Sequence, residues 1–400
     1  MRGATPISDK TSDPTLAVSR QMRKMYRLFS WSGLVLVLCL IFTLPAYADG
    51  GAPNLAYVAG TTTGISVIDV AQQRVSRTIA LPGDPRSVLL SMDGSLLYTT
   101  QPLKGNVAIL DAATGKTQCS TTVAGEPSVL ALSPLADVFY VGSNTTSQVQ
   151  IFDAKTCARR QEFQAPGPVY GMAISFLGGA LPSAQGSYQL LVATTDKLAA
   201  FDVDGTPLAQ FALPAGPQSL CIPPGPIVYV TTRQGTVVAL NLGTRQLTAP
   251  LLTGGPFGTM DYDAITGEIY VPDVSHHQLA VLAPVTPGVQ LHPGKLIRRV
   301  PLNGVPEAVA ITSDGQLGFV ALQNGQVVML DLLARHVITT IAVGGHPHFL
   351  ITGLYPPTNS QPSAGQQGHS GQTVLLLLFF AIFLVSLLLL VFLWTTKRRS

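Results

Sequence analysis

A short step recurs along this chain, Gly-Pro or Gly-x-Pro, with its proline at Pro85, Pro127, Pro168, Pro217, Pro256, Pro306 and Pro347. The intervals are 42, 41, 49, 39, 50 and 41 residues. A second mark runs in the same phase: an apolar strand ending in Asp or Asn, at Asp69, Asp111, Asp153, Asp202, Asn241 and Asp331, with the sixth unit ending at Ala283 instead. A third mark is an apolar-aromatic run, LAYVAG at 55, LLYTTQ at 96, VFYVGS at 138, QLLVAT at 189, IVYVTT at 227, EIYVPD at 268 and LGFVAL at 317. Self-similarity at about 40 residues with turn residues between short apolar runs specifies a repeat architecture of four strands per unit. One such unit cannot bury both faces of its sheet, so neighbours must stack around an axis. The predicted fold is all-β, a seven-bladed β-propeller.

The phase also predicts how the ring closes. The chain enters the repeat at the second strand of a blade, near Leu55, and leaves after a first strand at 348–352. Three strands from one end and one from the other then complete a blade and remove an open sheet edge. Asp93-Gly94 and Asp314-Gly315 have the chemistry of tight hairpin turns. The two long intervals predict surface insertions at 178–187 and 284–293.

Composition supports an all-β body: 11% charged residues, 38 Gly and 30 Pro argue against a helical bundle or a charge-rich disordered chain. The overall charge of +3 hides an uneven distribution. Residues 1–48 hold six Lys/Arg and two Asp, and Lys397, Arg398 and Arg399 close the chain, so residues 49–372 carry 15 basic and 19 acidic groups. A body near −4 is not expected to bind nucleic acid.

The two ends predict export and anchoring. RQMRKMYR at 20–27, an apolar run from Gly33 to Leu44 and small residues before Asp49 read as a signal peptide over 1–48, with an uncleaved signal anchor as the alternative. Val374–Trp394 is apolar except for Ser386, long enough to cross a bilayer core, and the basic tail 397–400 follows. The expected order is the propeller over 49–355, a Pro/Gly/Ser/Gln-rich tether over 356–372, a transmembrane helix over 373–396 and a cytoplasmic tail, with the propeller extracytoplasmic.

The units resemble the YVTN family of β-propeller repeats. The resemblance lies in Tyr57-Val58, Tyr140-Val141, Tyr229-Val230-Thr231 and Tyr270-Val271, in the ISVID strand at 65–69, in the Gly/Pro step and in the Ser-x-Asp-Gly turn at 91–94. It covers about 300 residues, with departures at 189–226 and 269–316. It implies a fold more than an activity. The family includes surface-layer and exported proteins, and related lactonase-type propellers hydrolyse sugar lactones.

The chain lacks Gly-x-Ser-x-Gly, His-Glu-x-x-His, Cys-x-x-Cys-His and P-loop motifs. Trp31 and Trp394 lie outside the body, which leaves no tryptophan docking motif for a quinone cofactor, and no cofactor is expected. The residues flanking the seven prolines should converge at one mouth of the channel: Asp84, Glu126, Gly167, Gly216, Gly255, Val305 and His346 before them, Arg86, Ser128, Val169, Gln218, Phe257, Glu307 and His348 after them. The ligand-binding candidates are Arg86, Glu126, Gln218, Glu307, His346 and His348. They serve either a binding module for a protein, glycan or envelope component, or a lactonase-like or metal-dependent hydrolase holding a divalent metal. A purely structural envelope protein is the third class. His276-His277 reads as an exposed turn, and Asp202-Val-Asp204-Gly205 and Asp261-Tyr-Asp263 as hairpin turns rather than calcium loops. Cys119 and Cys157 fall near the outer strands of consecutive blades, where they either pair or stay free; Cys221 reads as a small buried hydrophobe. Asn144-Thr145-Thr146 fits a glycosylation acceptor.

Overall fold

The computed structural model describes residues 54–175, 188–287, 291 and 294–353. The segments read as signal peptide, tether and transmembrane helix lie outside them, as do the whole of the first insertion and half of the second. Among the described residues the only helical piece is a 3-10 turn at Pro102–Lys104; everything else regular is strand.

Seven four-stranded antiparallel sheets form the seven blades. Blade 1 contains β1 (Leu55–Thr61), β2 (Gly64–Asp69) and β3 (Arg74–Ala80) from one end of the repeat. Blade 2 is β4 (Val88–Leu90), β5 (Leu96–Gln101), β6 (Asn106–Asp111) and β7 (Thr117–Thr122). Blade 3 is β8 (Pro127–Leu132), β9 (Val138–Ser143), β10 (Gln148–Asp153) and β11 (Arg159–Gln164). Blade 4 is β12 (Gly171–Ser175), β13 (Gln189–Ala193), β14 (Lys197–Phe201) and β15 (Pro207–Ala212). Blade 5 is β16 (Pro217–Cys221), β17 (Ile227–Thr232), β18 (Thr236–Asn241) and β19 (Leu252–Thr253). Blade 6 is β20 (Asp261–Tyr262), β21 (Ile269–Asp273), β22 (Gln278–Leu282) and β23 (Leu296–Pro301). Blade 7 is β24 (Pro306–Ile311), β25 (Leu317–Leu322), β26 (Gln326–Asp331) and β27 (His336–Ala342), after which β28 (Phe349–Gly353) returns to blade 1. There β28 pairs with β1 from Leu55↔Gly353 to Ala59↔Phe349, the expected three-plus-one closure.

The second and third strands of each blade are nearly continuous apolar runs because both their faces pack on neighbouring blades. Outer strands such as β11 are mostly exposed on one side and carry polar residues. The Asp or Asn that closes the third strand in six of the seven blades is a turn device. Asp153 Oδ1 accepts from the Lys155 and Thr156 backbone N–H groups at 3.0 and 2.9 Å, and Asp111 and Asn241 do the same at their own turns. An acceptor of this kind holds the backbone in an Asx turn, so the repeated Asp marks a repeated hairpin.

The repeated aromatic has an equally specific role. The Tyr98 hydroxyl donates to Ala154 O at 2.9 Å and the Tyr140 hydroxyl to Val203 O at 2.9 Å, each reaching the turn of the following blade. Tyr57 is the equivalent residue of blade 1, yet its buried hydroxyl has no partner. The carbonyl it would reach, Ala112 O, is taken at 2.5 Å by a guanidinium nitrogen of Arg77. Burial pushes the Tyr57 phenol up to about 12. Tyr57→Phe is therefore expected to leave stability within about 0.5 kcal/mol of wild type or raise it, whereas Tyr140→Phe lowers it by about 1–2 kcal/mol; urea denaturation of both variants makes the comparison.

Candidate functional site

The seven innermost strands and the residues just before them surround an open central cavity of about 600 Å³. Its polar lining includes Arg86 and Ser87 from blade 2, Ser128 from blade 3, Tyr170 from blade 4, Gln218 and Ser219 from blade 5, Thr259 and Asp261 from blade 6, Glu307 from blade 7 and His348 from blade 1. Every blade contributes, and in five of the seven the contributor is the residue just after the proline: Arg86, Ser128, Gln218, Glu307 and His348. The ring is asymmetric. Asp261, Glu307, His348 and Arg86, the ionisable groups, come from four consecutive blades, 6, 7, 1 and 2; Ser128, Tyr170 and Gln218, from blades 3 to 5, have no ionised group at pH 7.

The structure corrects the predicted rim in two blades. Val169 and Phe257 are buried in the cores between blades rather than set at the mouth. In both blades Tyr170 and Thr259, each next to a glycine (Gly171 and Gly258), take the channel positions instead. The glycines permit close approach: a Cβ on Gly171 would fall 2.0 Å from Gln218 O, and one on Gly258 2.2 Å from Glu307 O. Thr259 then pairs with the neighbouring blade, its N–H donating to Glu307 O at 2.8 Å.

Of the six candidate residues, Arg86, Gln218, Glu307 and His348 line the cavity, while Glu126 and His346 stand exposed outside its wall. His348 Nε2 lies 3.2 Å from Asp84 Oδ1, and Arg86 Nε donates to Asp84 Oδ2 at 3.3 Å, so one carboxylate holds both side chains. Partial burial and the Arg86 charge push the His348 pKa below its ordinary value, against the opposing pull of Asp84. The imidazole is therefore neutral at pH 7, with one nitrogen able to accept and one to donate. On the far side of His348, Gln323 Nε2 donates to Glu307 Oε1, and Gln323 O lies 3.2 Å from His346 Nδ1. Among the described residues no three His, Cys, Asp or Glu side chains converge as a metal site.

Asp261 was read from sequence as part of a turn. Only Asp263 fits that reading, its carboxylate accepting from the Ile265 N–H and the Thr266 hydroxyl. Asp261 instead stands on the channel wall, where its carboxylate accepts from the backbone N–H of Ile311 at 2.8 Å and of Tyr262 at 2.9 Å. It thus ties the two-residue strand β20 to blade 7. Burial pushes its pKa up to about 6 in spite of those two donors. The folded state then holds the proton more tightly than the unfolded chain, whose Asp titrates near 3.9. Stability contributed by this group is present at low pH and is lost as pH rises from about 4 through 6. Asp261→Asn should remove up to about 3 kcal/mol of that pH dependence. His348, with its lowered pKa, acts in the opposite sense, so the quantity to measure is the difference between variant and wild-type urea midpoints at pH 4.5 and 7.

His276 and His277 lie in the exposed turn between β21 and β22, with His276 Nδ1 2.9 Å from Asp273 Oδ1. Cys221 is buried on β16. Cys119 on β7 and Cys157 in the next blade's turn are joined by a disulfide, with Cα atoms 6.0 Å apart. Sequence reasoning missed Tyr170, Thr259 and Asp261; the only available signal was the glycine that follows or precedes two of them.

No family model matches the chain, and no characterised protein matches it by sequence. Solved structures do resemble it. A protein of unknown function from Desulfotomaculum acetoxidans DSM 771 superposes with a TM-score of 0.63 at 13% identity, covering 75% of this chain and 99% of that one. Hydrazine synthase of Kuenenia stuttgartiensis gives 0.58 at 17% identity, covering 71% and 93%. The β-propeller domain of Cps50 (Swd1) from Myceliophteria thermophila gives 0.58 at 14%, covering 70% and 92%. The fold is a seven-bladed β-propeller. At these identities the likeness extends to fold alone, and the neighbours named differ widely from one another.

Proposed function

We propose that this protein is an exported, membrane-anchored propeller of the YVTN-like kind, acting as a binding module at the cell surface that takes a small polar group, such as part of a glycan or a peptide side chain, at its channel mouth. The observation that carries the reading is the ring of polar side chains drawn from all seven blades, charged on one arc and hydroxyl- or amide-bearing on the other. Pre-formed concave sites with a few convergent polar groups are where ligands bind. The export half of the reading is supported by the disulfide, a bond that persists in oxidising compartments, and by the apolar run 374–394 with its basic tail.

Two measurements test it. Protease added outside intact cells should release the propeller, leaving a fragment with the basic tail behind; full protection of the propeller would overturn the placement. The full chain screened against soluble oligosaccharides and peptides should show a binder whose affinity drops about tenfold on Gln218→Ala, the loss of about one buried hydrogen bond. Binding that survives both Gln218→Ala and Glu307→Gln would move the site away from the channel.

A further inference from the structure

The two faces of the ring differ. Turns between first and second strands, and between third and fourth, fall on the face opposite the proline steps. Both described chain ends leave from that face, because Leu55 and Gly353 pair side by side at the turn end of blade 1. Among the described residues, five large apolar side chains are more than 70% exposed: Met92, Leu103, Leu135, Ile265 and Leu333. Four of them sit on this face. Met92, Leu135 and Ile265 tip first turns in blades 2, 3 and 6, and Leu333 tips the last turn of blade 7. Blades 6, 7, 2 and 3 are the four that flank blade 1, so the apolar tips form an arc centred on the chain exit.

We propose that this arc rests on a lipid surface. The inference depends on the reading that residues 374–394 anchor the chain in a bilayer. Roughly 20 residues separate Gly353 from that run, a contour of at most about 70 Å, so the arc and the bilayer stay within reach of each other and the contact is effectively intramolecular. Isolated exposed apolar residues are ordinary, but apolar tips gathered around a membrane-directed exit gain from burial in the interface. Charge on the same turns is compatible. Arg74, Lys116 and Lys155 are exposed there; Asp93 and Asp137 are exposed too, and with Asp314 they accept hydrogen bonds from Ser91, Ser133 and Thr312.

Met92 provides a native probe, because exposed methionine oxidises readily and shielding slows it. Leu103, equally exposed at 80%, lies on the opposite face, and Leu103→Met supplies the reference. The full chain is reconstituted in phosphatidylcholine vesicles and treated with peroxide, and oxidation is read by peptide mass spectrometry. Met92 should oxidise at least about fivefold more slowly than the Leu103→Met reporter, and the triple variant Leu135→Ser/Ile265→Ser/Leu333→Ser should abolish the difference. Equal rates on a chain that floats with the vesicles overturn the lipid contact while leaving the anchor standing. A chain that does not float at all overturns both. Protection that vanishes when protein is diluted over more vesicles makes a second copy the occupant, and overturns the proposal as well.

Discussion

Breaking the Cys119–Cys157 bridge should cost the propeller about 4 kcal/mol. The bond closes a loop of 38 residues, and the chain-entropy cost of leaving such a loop open is of that size. The bridge connects the outer strand of blade 2 to the turn of blade 3, the periphery of the ring, where blades have the least apolar contact to hold them. Cys157 itself is buried between the two blades beside Phe139 and Phe152. Cys119→Ser/Cys157→Ser should therefore lower the urea midpoint sharply. Reductant should lower wild type to the same value and leave the variant unmoved. The one free thiol among the described residues, Cys221, is buried and pushed well above its ordinary pKa by burial, so it does not confuse the measurement. A variant within 1 kcal/mol of wild type would mean that the blades are held without the bridge.

The second large effect is expected at Gly60, where the ring closes. Gly60 has φ +85, and a Cβ there would lie 2.3 Å from His346 O and 2.7 Å from His348 Cδ2. The carbonyls of Gly60 and Ala59 accept the N–H groups of His346 and His348 at 2.8 and 3.0 Å. A methyl group cannot be accommodated without breaking these bonds, because the obstruction is backbone. Gly60→Ala should cost about 3 kcal/mol or more, the sum of a left-handed non-glycine residue and an overpacked contact. Gly105 separates the two contributions: it has φ +62, and its nearest neighbours stand 3.8 Å from a Cβ. Gly105→Ala should cost only the conformational part, about 1 kcal/mol. Equal losses in the two variants would show that the closure can yield. In Gly60→Ala, hydrogen exchange should quicken first in 349–353, since that strand is held to blade 1 by this junction.

Each of these effects has a different degree of visibility in the sequence. The pairing of Cys119 with Cys157 followed from their positions in consecutive units but stayed open beside free thiols, because proximity between blades depends on how far the outer strands splay. Gly60 carried no mark at all. Its role comes from the return of residues nearly 290 positions later, and nothing local to Ala59-Gly60-Thr61 announces it. Arg77 likewise reads as one more polar residue on an outer strand, although its reach to Ala112 O leaves the Tyr57 hydroxyl alone.

What the sequence determined by itself was the repeat: seven phased units, four strands in each, and a closing strand taken from the far end. Periodicity carries that information because every blade must solve the same burial problem with the same local chemistry, an Asx turn after the third strand and an apolar run through the middle two. Only the tertiary structure decided which side chains meet at the axis. Where the chain passes close to the next blade at a glycine, Gly171 and Gly258, Val169 and Phe257 sink into the core and Tyr170 and Thr259 face the channel instead. A shift of this kind depends on whether the neighbouring backbone can approach, at Gln218 O and Glu307 O, and that is a contact between units that no single unit encodes.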